Sequence, residues 1–435
     1  MLFYSTNNKH KLFSLSEAVL KGLPDDNGLF MPERIPVLPE NFWKNISSLH
    51  IDEIANEVAS LYLGDDLPAD TIRKITSEAM NFPVPLVKLN GNTFFLELFH
   101  GPTLAFKDVG ARFMARTMAL LNRDENKKLT ILVATSGDTG SAVANGFYNV
   151  PGIDVIILYP SGKVSPLQEK QLTTLGGNIT ALEIQGTFDD CQALVKQAFL
   201  DNSLKEKYRL SSANSINIAR LIPQSFYYID AWKQIQMMDP GPVVFSVPSG
   251  NFGNLSAGLF AKRMGLPVEK FVAANNRNDS VLDYLKTGNY KAKNTIATIS
   301  NAMDVGNPSN FARMLDLYDH DPGKMREDIC AYSFDDDQTR SAMKEVFQEY
   351  NYVMDPHGAV GYLGWNSFVK DKNSKAKGII LETAHPSKFK DVVEETLNIQ
   401  VALPEQLSSI ADKSKNSIVL KAEYHFFHQY LIERG

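Results

Sequence analysis

At 435 residues the chain is too long for one hydrophobic core, because single cores rarely grow past roughly 250 to 300 residues, so two or three domains are expected. Hydrophobic residues at 44%, charged residues at 22% and a formal net charge of -6 exclude disordered and fibrous classes, and without clustered Lys and Arg they argue against a nucleic-acid or anionic-membrane partner. Only Cys191 and Cys330 are present, which excludes a disulfide framework and a cysteine-rich zinc site and fits a reducing compartment.

The start, Met1 to Lys9, has no basic segment followed by an apolar run, and no stretch approaches the roughly 20 apolar residues of a membrane helix. A cytoplasmic location is expected. Ser14 with Glu17 three residues on makes a capping box for a short helix running to Gly22. Pro32, Pro36, Pro39, Pro83 and Pro85 punctuate the next stretch, and residues 1–88 read as a separate, small, mainly helical unit. From there short β-branched runs alternate with amphipathic helices: Thr130 to Ala134, Val155 to Leu158, Val243 to Val247, Lys377 to Leu381. That rhythm predicts an α/β fold with a parallel sheet over residues 89–400, followed by a C-terminal extension, 401–435. Asp335-Asp336-Asp337 reads as a solvated loop, and His425 and His428 lack a carboxylate or thiol in zinc spacing, so no metal site is expected.

In open parallel sheets ligands sit where loops leave the carboxyl ends of the strands, so the chemistry is sought there. The segment His100-Gly101-Pro102-Thr103-Leu104-Ala105-Phe106-Lys107-Asp108 embeds a lysine among apolar residues at the entry to a helix that buries Phe113, Met114 and Met118. Burial at a helix start would depress the amine's pKa and make it a nucleophile toward an aldehyde; the bland reading is a lysine reaching back to the surface. Thr135-Ser136-Gly137-Asp138-Thr139-Gly140 presents amides and hydroxyls suited to a carboxylate or phosphate, or else Ser136 or Asp138 only caps the next helix. Lys163, after Pro160-Ser161-Gly162, offers a charge to the same anion as Asn217 and Arg220, or to solvent. Asn217 and Arg220, three apart on one helical face, suit a third anion, with a surface ion pair as the plain alternative. Gly250-Asn251-Phe252-Gly253-Asn254 follows a buried-type strand and opens a helix near Leu255: an anion cradle, or a turn. Neither a Walker-type lysine loop nor a Gly-x-Gly-x-x-Gly fingerprint occurs, which argues against nucleotide hydrolysis and dinucleotide redox chemistry.

Taken in order, these segments resemble those of threonine synthases, within the tryptophan-synthase-β-like family of pyridoxal-phosphate enzymes. The likeness spans Ala18 to Leu23, Gly28 to Pro32, Glu97 to Asp108, Ala134 to Gly140, Asn214-Ser215-Ile216-Asn217, Pro248 to Asn254 and Thr383-Ala384-His385-Pro386. It implies a type II pyridoxal-phosphate fold with two open α/β lobes beside the N-terminal domain, and conversion of O-phospho-L-homoserine and water into L-threonine and phosphate. It implies further that Lys107 carries pyridoxal 5'-phosphate as an imine, that Gly250, Asn251, Phe252, Gly253 and Asn254 hold its phosphate, and that Thr383 faces its pyridine nitrogen. Ser136, Gly137, Asp138 and Thr139 would cradle the substrate carboxylate through backbone and hydroxyl groups, with the Asp138 side chain unassigned. Lys163, Asn217 and Arg220 would bind the substrate phosphate. Competing activities on the same scaffold are dehydration of threonine or serine and phosphate elimination without water addition; the alternative outside enzymes is a non-catalytic pyridoxal-phosphate binder. A monomer or small homo-oligomer is expected.

Overall fold

The structure is a computed structural model, and it describes residues 1–123, 127–135 and 137–434. A six-stranded sheet runs in the order Ile329–Ser333, Lys270–Asn275, Val243–Pro248, Lys377–Glu382, Thr93–Glu97, Leu86–Asn90. All neighbours are parallel except the last pair, which is antiparallel. A five-stranded parallel sheet runs in the order Ile418–Lys421, Ile179–Gln185, Ile153–Pro160, Leu129–Ala134, Arg209–Ser212. Two interior strands, Val243–Pro248 and Leu129–Ala134, are buried at every residue, which is why they read as continuous apolar runs without alternation.

Helices cover both sheets, and one apolar cluster runs from Phe3 and Phe30 through Phe113 and Phe226 to Phe245 and Phe271. The N-terminal unit is docked on that cluster. Its helices include Leu15–Lys21, with the expected Ser14–Glu17 capping box, Ile51–Leu63 and Ala69–Ala79. It also contains a three-stranded antiparallel sheet, Asn8–Phe13, Phe3–Ser5 and Phe30–Pro32, which the mainly helical expectation lacked.

At the other end, strand Ile418–Lys421 forms the edge of the five-stranded sheet and helix Tyr424–Arg434 buries Phe427 and Leu431 against Leu182 and Ile184. The extension is thus built into that lobe. The Asp335 run is a helix start and not a loop: Asp335 accepts from the Gln338 amide at 2.9 Å and caps helix Asp336–Tyr350. Among the described residues no helix is long and apolar enough to cross a membrane.

The two sheets aim their carboxyl ends at one region. Leu129–Ala134 runs into the loop before helix Asp138–Phe147, and Val243–Pro248 into the turn before helix Gly253–Arg263. Thr93–Glu97 leads to the Lys107 segment, and Lys377–Glu382 leads to Thr383. An antiparallel bridge between Ala105 and Ala384 joins these last two, with the Phe106 amide donating to the Thr383 carbonyl at 2.9 Å.

Candidate active site

Lys107 is the first residue of helix Lys107–Leu121, which buries Phe113, Met114 and Met118 as the sequence pattern requires. The loop before it is rigidly set. Leu104 takes a left-handed φ of 59, and Asp108 accepts from the Thr103 amide at 2.8 Å and the Thr103 hydroxyl at 2.5 Å. Gly101 must be glycine here, since a Cβ would lie 2.5 Å from an Asp108 carboxyl oxygen. The Lys107 side chain is 17% exposed, and its Nζ lies 3.8 Å from Asp138 Oδ2. Burial depresses its pKa, Lys388 and Arg220 act the same way, and Asp138 opposes them.

Asp138 has a second and closer partner. Lys388, in the short 3-10 helix Pro386–Phe389, places Nζ 2.6 Å from Asp138 Oδ1 and 2.9 Å from the Thr103 carbonyl, and its side chain is 1% exposed. Gln168 Nε2 donates to the same Oδ1 at 2.8 Å. Burial alone would raise this carboxyl's pKa, yet the charges of Lys388 and Lys107 and these hydrogen bonds hold it well below the usual carboxylate range. The Asp138 side chain therefore has an internal role. Helix capping falls to Thr135, whose Oγ1 accepts from the amides of Gly137 at 3.0 Å and Gly140 at 2.8 Å. Gly137 sits at φ 144, and a Cβ there would be 2.8 Å from Gln168 Oε1. Ser136 lies outside the described residues.

The glycine–asparagine turn is braced from three sides. Asn251 donates to Ser215 Oγ at 2.6 Å and accepts from the Ser309 amide at 2.6 Å, and Asn254 donates to the Pro248 carbonyl at 2.9 Å. The left-handed residue is Phe252, at φ 58, and Gly253 begins the helix two residues before the expected Leu255. Gly250 is required by crowding, because a Cβ would meet Met303 Cα at 2.8 Å and the Ala302 carbonyl at 3.0 Å. Behind the turn, Arg313 is fully buried and donates to Asn310 Oδ1 at 2.6 Å, to the Ile216 carbonyl at 2.6 Å and to the Phe30 carbonyl.

Arg220 is buried at 2% exposure, donates to the Ala213 carbonyl at 2.7 Å, and keeps a buried Nε with no hydrogen-bond partner. Burial lowers its pKa to about 10. Neither Arg220 nor Arg313 has a carboxylate within ion-pair distance among the described residues, so the surface-pair reading of Arg220 fails. Asn217 is wholly buried and its amide is committed: Nδ2 donates to the carbonyls of Val19 and Ser212, and Oδ1 accepts from the Ala219 amide. Through Oδ1 Asn217 also caps the Ile218–Leu221 helix that carries Arg220. Lys163 is exposed in the loop after Ile153–Pro160. Thr383 is buried, and its hydroxyl makes no hydrogen bond among the described residues.

A half-buried amine beside a charge-balanced carboxylate, a glycine turn with no room for a Cβ and two buried guanidiniums without counter-charge fit a phosphorylated aldehyde together with a second phosphorylated ligand. The comparisons agree. A family model described as pyridoxal-phosphate dependent enzyme matches residues 79–382, and models for the threonine synthase N terminus and C-terminal region match residues 2–80 and 358–430. The threonine synthase of Haemophilus influenzae is 46% identical over 98% of this chain and 99% of its own length. The chain belongs to the threonine synthase family.

Solved threonine synthases share the whole architecture. That of Escherichia coli superposes with a TM-score of 0.91 at 42% identity over 100% of both chains. A pyridoxal-phosphate-bound threonine synthase from Brucella melitensis gives a TM-score of 0.92 at 34% identity over 100% of this chain and 99% of that one. The N-terminal segments that carry the likeness to threonine synthases turn out to hold the site: Val19 accepts from Asn217 and Phe30 from Arg313. Sequence reasoning does not single out Lys388, Arg313, Thr135 or Gln168. The available signal for Lys388 is its place three residues beyond His385, straight after the loop that carries Thr383.

Proposed function

We propose that this chain converts O-phospho-L-homoserine and water into L-threonine and phosphate, with Lys107 as the cofactor-bearing amine and the proton-transfer group. Pyridoxal phosphate, when bound, supplies the electron sink that acidifies the substrate α-carbon. The turn from Gly250 to Asn254 would hold its phosphate and the free Thr383 hydroxyl its pyridine nitrogen. The amides of Asp138 and Thr139, which have no intrahelical partner in the first turn, would take the substrate carboxylate together with the Ser136 and Thr139 hydroxyls and the Gly137 backbone.

Lys107 acts as general base at the α-carbon, and the burial that lowers its pKa favours the neutral amine this task needs. Arg220, placed by Asn217, and Lys163 from the rim would stabilise charge on the departing γ-phosphate, so they assist departure as well as binding. Departure of the phosphate from the γ-carbon also requires loss of a proton from the β-carbon; the γ-carbon then gains a proton, water adds its hydroxyl at the β-carbon and gives up its own proton, and a proton returns to the α-carbon. The observation that carries this reading is Arg220: a buried guanidinium with an unpartnered Nε beside the Lys107 helix suits a phosphorylated substrate and has no use for a simple hydroxy amino acid. We propose the cytoplasm as the place of the reaction and a monomer or small homo-oligomer as its form, without nucleic-acid or membrane partners.

The test is a product assay on purified protein with O-phosphohomoserine. Threonine and phosphate in equal amounts are expected. A keto acid with phosphate would make the chain a phosphate-eliminating lyase, and binding without phosphate release would remove the catalytic reading.

A further inference from the structure

The two oxygens of the Asp138 carboxylate are divided between two lysines. Oδ1 takes Lys388 at 2.6 Å and Gln168 at 2.8 Å, whereas Oδ2 faces Lys107 at 3.8 Å. We propose that Lys388 is a positioning residue that engages one oxygen of Asp138, so that the carboxylate orients the Lys107 amine without serving as its sole counter-ion. This rests on the reading of Lys107 as the reacting amine.

A lysine paired alone with a buried carboxylate is held as ammonium, because the opposite charge favours its protonated form. A group that must collect protons from carbon needs the neutral amine. Lys388 resolves the conflict. It keeps Asp138 ionised and aimed, and its own charge offsets the carboxylate's field at Lys107. Arg220, from helix Ile218–Leu221, acts on Lys107 in the same sense as Lys388; Asp138, from helix Asp138–Phe147, acts against both. Asp108, next to Lys107 on its own helix, is turned back onto Thr103.

Lys388 also has a mechanical hold on the loop. It donates to the Thr103 carbonyl at 2.9 Å while the Thr103 amide and hydroxyl donate to Asp108, so one lysine fixes both the carboxylate and the segment that carries Lys107. A lysine at 1% side-chain exposure is rarely kept for packing, and no other described carboxylate is within ion-pair reach of it.

The experiment is acetylation of the cofactor-stripped full chain by acetic anhydride across a pH series, with labelling at each lysine followed by peptide mass spectrometry. Lys388→Met is expected to move the Lys107 midpoint to higher pH, so that labelling at a fixed pH below the midpoint slows about tenfold for every pH unit the midpoint moves. Lys388→Arg should keep the wild-type midpoint, and Asp138→Asn should move it to lower pH. A purely structural Lys388 would alter yield and leave the midpoint in place, and that result overturns the proposal. Should Lys388→Met fail to fold, an unmoved midpoint in Asp138→Asn overturns it equally. If Lys107 in the wild type labels no differently from an exposed lysine, the parent reading of Lys107 fails instead, and the two failures are told apart by where the label lies.

Discussion

The Arg313 guanidinium donates to the Phe30 carbonyl through both Nε and Nη2, at 3.2 and 3.1 Å, so a residue of the N-terminal unit holds a buried cation behind the glycine–asparagine turn. The same side chain reaches Asn310 and Ile216, and Asn310 lies against Gly253. The N-terminal unit in this sense helps to brace that turn.

Arg313→Met should therefore weaken cofactor binding, although Arg313 sits behind the turn. Hydrogen bonds to charged groups contribute about 1.5 to 3 kcal/mol, which corresponds to roughly tenfold to more than a hundredfold in Kd. Fluorescence titration with pyridoxal phosphate and with pyridoxal checks this. The loss should be larger for the phosphorylated form; equal loss for both would reduce Arg313 to a packing residue.

Arg220→Gln removes the unpartnered buried charge near Lys107. On the same scale of about 1.5 to 3 kcal/mol, kcat/KM for O-phosphohomoserine should fall roughly tenfold to more than a hundredfold. Cofactor content, read from absorbance, should stay near that of the wild type. Unchanged kinetics would take Arg220 out of the substrate site.

Much of this is legible in the sequence, and the reasons are local. Lys107 stands out because it follows Leu104-Ala105-Phe106 at a helix start, and the interior strands Val243–Pro248 and Leu129–Ala134 stand out because both faces are buried. Lys388 does not, since its meaning depends on the bridge between Ala105 and Ala384, a pairing of segments 279 residues apart that leaves no periodic trace. Arg313 lies in a seven-residue helix, too short for a clear amphipathic pattern. Asn8–Phe13 carries no strand signal because its first five residues are exposed, so nothing alternates. The Asp335 run reads as a loop because a capping aspartate and a solvated one look alike until the helix behind it is seen.

Glu382 carries a pH dependence. It is fully buried, neither carboxyl oxygen has a hydrogen-bond partner, and burial together with Asp355 and Glu97 pushes its pKa well above the usual range. A carboxyl whose folded pKa exceeds its unfolded one stabilises at low pH, and that contribution is lost as pH rises toward the folded value. Glu382→Gln should melt higher than the wild type at about pH 8, with the gap closing toward about pH 5. Thermal denaturation across that range is the check, and parallel curves for the two proteins would show Glu382 to be ionised in the fold.

The most direct measurement concerns Lys107. Freshly purified protein is reduced with borohydride, digested and mapped by mass spectrometry, which fixes the cofactor to whichever lysine carries it. A single pyridoxyl-phosphate addition on the peptide containing Lys107 is the expected result. Addition at another lysine, Lys388 included, or no addition in protein that holds the cofactor, would contradict the assignment on which the site is built.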